Sequence, residues 1–332
     1  MQLKLEEKKI RKGRPIGLPY IGSKKKIAKK LIEIIKQNFG TDKTIYDLFG
    51  GGGAITLECK LQGLDVVYND IDPLPGLMIQ KILSEDREYL KTLICSREEF
   101  FQIRDKENKA IDDHLKLLVN SFGNNNKDYL YSKKHSDIKY RLAKEIIEKH
   151  DSFYGYKKTE TFKKFIKNED NLKSLKWEDK HEKNQTLQQL SRIQQIERIN
   201  QLQQLQQLEQ MQRLEQVERM NQLVPIQDNK EFSDIKFNSK NFKEFSSIKN
   251  SIIYLDPPYE KTRKIYKHNN LDYEDFYSWC KAMSKENIVL ISGYHMPDDF
   301  ETVYEFAKAK STIQGGQHDS KYEKLYMVKD KC

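Results

Sequence analysis

Between residues 24 and 39 the apolar positions Ile27, Leu31, Ile34 and Ile35 recur at helical spacing, and Gly40 stands where such a helix stops. Residues 44–49 read as a short buried strand that runs into four consecutive glycines, Gly50 to Gly53. A helix is expected over about 54–61. Gly63 then turns the chain into a second strand, 64–68, which ends at Asn69 and Asp70. Strand, glycine loop, helix and strand in this order open a parallel α/β sheet. From about 74 to 250 the pattern is polar and mostly helical, with a loop signal at 121–126. Residues 251–255 form another short apolar run, followed by an expected helix around 273–283, a strand at 288–292 and a final strand at 322–328.

One stretch obeys neither ordinary period. From Leu187 to Leu223 an apolar residue returns every three positions, and Val224 and Pro225 end the run. The intervening pairs are mainly Gln, Glu, Arg and Asn. On an α-helix each three-residue step turns the apolar position by roughly −60°, so the stripe winds around the axis. Residue propensities favour helix. The period itself suits a 3₁₀ or extended three-fold path, or a solenoid that stacks leucines. The pattern leaves these alternatives open, and the segment reads as a spacer or a partner-binding element.

Charge changes the picture at one end of the chain. Residues 1–30 hold eleven Lys or Arg against two Glu, a surplus equal to the +9 of the whole 332-residue chain. Such a segment suits a polyanionic partner, or else it is a solvated arm. Cys59, Cys95, Cys280 and Cys332 lie far apart, which argues against a zinc site and a disulfide framework and predicts a reducing compartment. The N-terminus is too charged for a signal peptide and no apolar run reaches membrane-spanning length. A soluble, cytoplasmic protein without metal or membrane association is expected.

Three motifs carry candidate chemistry. The glycine run lets a ligand approach the backbone, and Asp70 lies where a carboxylate can accept the ribose hydroxyls of an adenosine moiety; a turn-forming role for Asp70 is the alternative. The dinucleotide fingerprint needs a third glycine where Ile55 stands, so a nicotinamide cofactor fits poorly. Asp256-Pro257-Pro258-Tyr259 follows a buried strand. Its two prolines remove donors and leave carbonyl acceptors. The Asp256 carboxylate and the Pro257 carbonyl suit an exocyclic amine that must lose a proton, and Tyr259 offers a face for stacking a base. The alternative is a rigid turn with a packed tyrosine. Finally, Lys24, in Pro19-Tyr20-Ile21-Gly22-Ser23-Lys24, opens the first expected helix, where a cation opposes the helix dipole. That misfit points to ligand or DNA binding; the alternative is that Lys24 is simply the edge of the basic arm.

PYIGSK (19–24), DLFGGGG (47–53), YNDIDP (68–73) and LDPPYE (255–260), in this order, resemble the Dam-type, D12-class family of DNA adenine methyltransferases. SFGNNNKDYLYS (121–132) is similar to a segment of that family's recognition region. The resemblance implies a Rossmann-like class I methyltransferase sheet, mostly parallel with the last strand antiparallel, interrupted by a helical target-recognition insertion and the three-residue leucine repeat. The expected division is 1–75 and 226–332 for the catalytic domain, 76–183 for target recognition and 184–225 for the repeat. S-adenosylmethionine is the implied cofactor, held by Tyr20, Lys24, Asp47, Phe49, Gly50, Gly52, Asp70 and Asp256. The implied partner is double-stranded DNA, its target adenine flipped out to Asp256, Pro257, Pro258 and Tyr259. Lys24, Asn124, Asn125, Asn126, Lys127 and Arg141 are the DNA-contact candidates. A cognate restriction endonuclease is a further candidate partner, 187–223 offers a surface for self-association, and a prokaryotic or phage-infected cell is the expected setting. N4-cytosine methylation, an RNA target and an inactive DNA-binding relative are the alternatives; Asp256, where Ser is commoner for cytosine, favours adenine. The family pattern departs at Asp72-Pro73-Leu74-Pro75-Gly76, whose prolines predict a late start for the next helix.

Overall fold

The computed structural model describes residues 2–20, 22–151, 155–167, 213–258, 271–306 and 323–329. It divides into two compact units, residues 1–86 with 225–332, and residues 87–224. The boundary expected after residue 75 falls inside a helix, Pro73–Ser84, of the first unit.

That unit is built on one sheet. Its strands are β1 (Ile45–Asp47), β2 (Val66–Asn69), β3 (Lys236–Asn238), β4 (Ile252–Leu255), β5 (Ile288–Gly293), β6 (Phe300–Glu305) and β7 (Lys324–Val328). They lie in the order β3-β2-β1-β4-β5-β7-β6. Neighbours from β3 to β5 are parallel, and β7 runs antiparallel between β5 and β6. This is the expected mostly parallel, Rossmann-like α/β architecture with its last strand reversed. The edge strands β3 and β6 were not legible in the sequence pattern.

Strand β4 shows why its run is wholly apolar. Ile252 and Tyr254 pack into one core with Leu31 and Ile35 of α1 (Ala28–Phe39) and Ile55 and Cys59 of α2 (Ala54–Leu61). Ile253 and Leu255 enter a second core on the opposite face, with Phe242 and with Phe276 and Trp279 of Tyr273–Met283. A central parallel strand covered on both faces needs apolar residues at every position.

Two expectations about helix starts are corrected. Lys24 sits on a 3₁₀ turn, Lys24–Lys26, and α1 begins only at Ala28. The opposition to the helix dipole does not arise, and the role of Lys24 has to come from its contacts. The helix after Asp70, α3 (Pro73–Ser84), starts at its first proline rather than late. Asp72 caps it by accepting from the Leu74 N–H at 3.0 Å. Both prolines fall in the first turn, where a missing N–H costs no helical bond.

The second unit is helical, with α4 (Arg87–Lys91), α5 (Arg97–Asp105), α6 (Ile111–Asn120), α7 (Ser136–His150) and most of α8 (Glu215–Gln227). The repeat lies outside the described residues up to 212. Its end is α-helical: Leu214 leads into α8, and Leu214, Val217, Met220 and Leu223 are all fully buried. Gln216 and Ile226 are buried too, and no residue from 214 to 227 is exposed. A stripe that winds around the axis suits a helix enclosed from several sides. The Gln216 amide donates to the Cys95 carbonyl at 2.9 Å, the Asn120 Oδ1 and the Tyr129 hydroxyl at 3.1 Å. No described helix is long and apolar enough to cross a membrane.

Candidate active site

The register of the central strands sets the site. Asp47, the last residue of β1, pairs with Tyr68 on one side and Tyr254 on the other. Asp70 and Asp256 each lie two residues beyond those partners, so three carboxylates come to the carboxyl edge of three adjacent strands. Ligand sites of open parallel sheets lie at this edge.

The glycine loop connects β1 to α2 at the same edge. A Cβ on Gly50 would stand 2.3 Å from the buried Tyr68 ring, and one on Gly52 would stand 2.7 Å from the Tyr20 Cβ. Gly51 has φ +44° and Gly53 φ +73°, the left-handed region that glycine enters without strain. The loop is fixed by polar contacts: the Gly51 N–H donates to the Asp70 carboxylate at 2.8 Å, and the Tyr68 hydroxyl donates to the Gly51 carbonyl at 2.8 Å. Asp70 also accepts from the Asp72 N–H at 2.9 Å. Asn69, buried, donates to the Leu48 carbonyl at 3.1 Å.

Asp47 is buried. One carboxylate oxygen accepts from the Thr56 hydroxyl at 2.7 Å and the Thr56 N–H at 3.2 Å. The other has no hydrogen-bond partner among the described residues. Burial pushes its pKa up to about 7, against the pull of Thr56 and with help from Asp256 and Asp70.

Asp256 meets the lysine of the first motif. Lys24 Nζ lies 2.7 Å from an Asp256 oxygen and 3.1 Å from a Glu323 oxygen. Burial raises Asp256 to about 6; Lys24 pulls it down while Glu323 and Asp70 push it up. Behind it, buried Tyr254 and Ser292 share a hydroxyl–hydroxyl bond of 2.7 Å. Pro257 is buried, and the Pro258 carbonyl accepts from the Tyr273 hydroxyl.

Of the residues singled out in sequence, Tyr20, Lys24, Asp47, Gly50, Gly52, Asp70, Asp256, Pro257 and Pro258 thus surround one edge of the sheet. Phe49 turns instead into the aromatic cluster, with ring centroids 6.1 Å from Phe242 and 5.9 Å from Phe276. Tyr259 lies outside the described residues. Glu323, Thr56 and Tyr68 were missed. Glu323 is flanked by lysines and a tyrosine and reads as ordinary surface until the strand register places it.

The basic N-terminal segment is folded onto the sheet unit. Leu3, Ile16 and Leu18 are buried, and the Leu3 N–H donates to the Val303 carbonyl at 2.9 Å, covering the β6 edge. Arg11 forks onto buried Glu58 at 2.6 and 2.8 Å. Part of the positive surplus therefore serves the fold.

The three asparagines belong to the second unit, in a loop closed by a bridge between Ser121 and Tyr129. Asn124 and Asn126 adopt φ of +58° and +56°, conformations asparagine tolerates better than most side chains. The Asn125 side chain accepts from the Lys127 and Asp128 N–H groups at 2.8 and 3.0 Å. The loop thus gives each asparagine a local conformational role. Lys127 and Arg141 are exposed.

Among the described residues no group of acidic, histidine or cysteine side chains is arranged to hold a metal ion. A family model of D12 class N6 adenine-specific DNA methyltransferases matches residues 20–313. The search of curated proteins gave no match.

Proposed function

The chain belongs to the D12 class N6 adenine-specific DNA methyltransferase family, and from that premise we propose that it carries the methyl group of S-adenosylmethionine to N6 of an adenine at a specific site in duplex DNA. The observation that carries this reading is Asp256: a carboxylate at the end of β4, paired with Lys24 and raised to about 6.

The glycine cradle and its two aspartates fit the cofactor. Gly50, Gly52 and Gly53 are bare backbone at this edge, where a Cβ would run into Tyr68, Tyr20 or Ile79, Asp70 is oriented by two backbone N–H groups, and the Asp47 oxygen without a partner among the described residues suits a polar group of the cofactor. Gly50, Gly52 and Tyr20 would border the cofactor, and Asp70 would accept its ribose hydroxyls. When bound, it supplies an electrophilic methyl group on a sulfonium.

Asp256 and the Pro257 carbonyl accept hydrogen bonds from the adenine amine and fix its direction, which is the positioning part of catalysis. As the amine becomes methylated it sheds one proton. A carboxylate titrating near 6 is mostly ionised at neutral pH, yet it is a stronger base than one titrating near 4. The target adenine leaves the duplex to reach this edge, at a cost of a few kcal/mol offset by stacking and hydrogen bonds, with Tyr259 as the stacking face. Exposed Lys127 and Arg141 contribute DNA contacts from the second unit. The setting would be the cytoplasm of a prokaryotic or phage-infected cell, with a restriction partner as one biological context.

The test is Asp256→Asn in the full chain. Labelled cofactor should still bind within several-fold of the wild type while methyl transfer to DNA falls by at least 100-fold. Undiminished transfer would remove Asp256 from the chemistry.

A further inference from the structure

Asp256 is not the only carboxylate on Lys24. Glu323 immediately precedes β7, and Lys324 pairs with Gly293 at the carboxyl end of β5. Because β7 runs against its neighbours, its beginning lies at the edge where β4 and β5 finish. The reversed strand therefore delivers a second acid to the end of β4. Lys24, Asp256 and Glu323 have side chains only 10%, 16% and 10% exposed. An ammonium carries three donors and serves both acids at once.

We propose that Glu323 is a positioning residue of this site: by sharing Lys24 it limits how far that lysine neutralises Asp256, and so keeps Asp256 basic. The proposal rests on Asp256 being the group that receives the amine proton. Lys24 alone would turn Asp256 into a weak acceptor, since an adjacent cation favours the charged form and lowers basicity. Burial acts the other way, towards the protonated form. With Glu323 present the trio carries one net negative charge, and Asp256 lies between those extremes.

The groups acting on Asp256 come from every strand around it. Lys24 lowers its pKa, while Glu323 before β7 and Asp70 after β2 raise it. Asp47 at the end of β1 is coupled to it, as are Tyr254 on β4 and Tyr294 after β5. Tyr294 is also raised by burial and by Glu323. Among the acids, Glu323 alone is seen to touch the same ammonium as Asp256 in the described residues, so of the acids its removal should be felt most strongly there.

Glu323→Gln in the full chain tests this, since the amide keeps the shape and loses the charge. The acid limb of kcat/KM against pH should move down by about one pH unit, with a few-fold lower plateau and little change in KM. Glu323→Asp keeps the charge and should leave the limb within a few tenths of the wild type. A readout independent of activity is the titration of the Asp256 carboxyl carbon by NMR in cofactor-free protein, assigned with Asp256→Asn. It should show the same downward movement in Glu323→Gln. An unmoved carbon titration in folded Glu323→Gln overturns the proposal, as does an equal displacement in Glu323→Asp. If the wild type transfers no methyl group at all, the functional reading fails, while the carbon titration still decides whether Glu323 tunes Asp256.

Discussion

Replacing Lys24 by methionine removes the cation 2.7 Å from Asp256 and keeps most of the apolar stem. An opposite charge this close lowers a carboxylate pKa by about one to three pH units. Asp256, now near 6, should therefore rise to ~7–9 in Lys24→Met. At pH 7.5 an acid titrating near 6 is ~97% ionised, one at 8 is ~24% ionised and one at 9 only ~3%. If the ionised form accepts the amine proton, kcat/KM at pH 7.5 should fall about 4-fold in the first case and about 30-fold in the second. The loss should shrink steadily as pH rises to 9.5. The assay is methyl transfer to duplex DNA with Lys24→Met across pH 6 to 9.5, under kcat/KM conditions. A loss of equal size at every pH would refute the reasoning, because Lys24 would then act through something other than the charge state of Asp256.

Other consequences follow from the same geometry. Asp47, held near 7 by burial, ionises in the unfolded chain from pH ~4 upward while the folded form keeps its proton to about 7, so stability is lost as pH rises through that window. Asp47→Asn escapes this and should gain a few kcal/mol relative to wild type between pH 4.5 and 8 in urea unfolding; a pH-independent difference would contradict the assignment. Gly50→Ala, whose Cβ would lie 2.3 Å from the Tyr68 ring, should cost about 1–3 kcal/mol and weaken cofactor binding by calorimetry. Unaltered stability and affinity would show that the loop has slack. Gln216→Ala removes one buried donor shared by the Cys95 carbonyl and the Asn120 and Tyr129 oxygens, leaving only the Tyr129 hydroxyl on the Cys95 carbonyl and the Cys95 N–H on Asn120, and unfolding should be easier by about 1–3 kcal/mol. A neutral substitution would mean that the network is not structural.

What could be read in the sequence followed the strength of local signals. The helices expected at about 54–61 and around 273–283 form over those residues; the glycines before the first announced it, and the structure shows Asp272 capping the second. The central strands were legible because burial on both faces leaves an unbroken apolar run. β3 was not, because a three-residue edge strand with an exposed lysine carries no such run. The prolines at 73 and 75 misled because a helix interior and a first turn look alike until the cap is known. At the site, carboxylates at strand ends were visible through their motifs. Glu323 was not, since only the pairing of Lys324 with Gly293 brings it beside Lys24. The asparagines at 124–126 read as base-contact candidates in sequence, and the backbone also gives them turn-forming work that the pattern did not show.

The central claim is tested most directly by identifying the methylated nucleoside. Purified protein, tritium-labelled S-adenosylmethionine and unmethylated duplex DNA are incubated together, and the DNA is digested and resolved by chromatography. The account predicts label in N6-methyl-2′-deoxyadenosine, and none with Asp256→Asn. Label in N4-methyl-2′-deoxycytidine, or no label on varied DNA despite measurable cofactor binding, would contradict it.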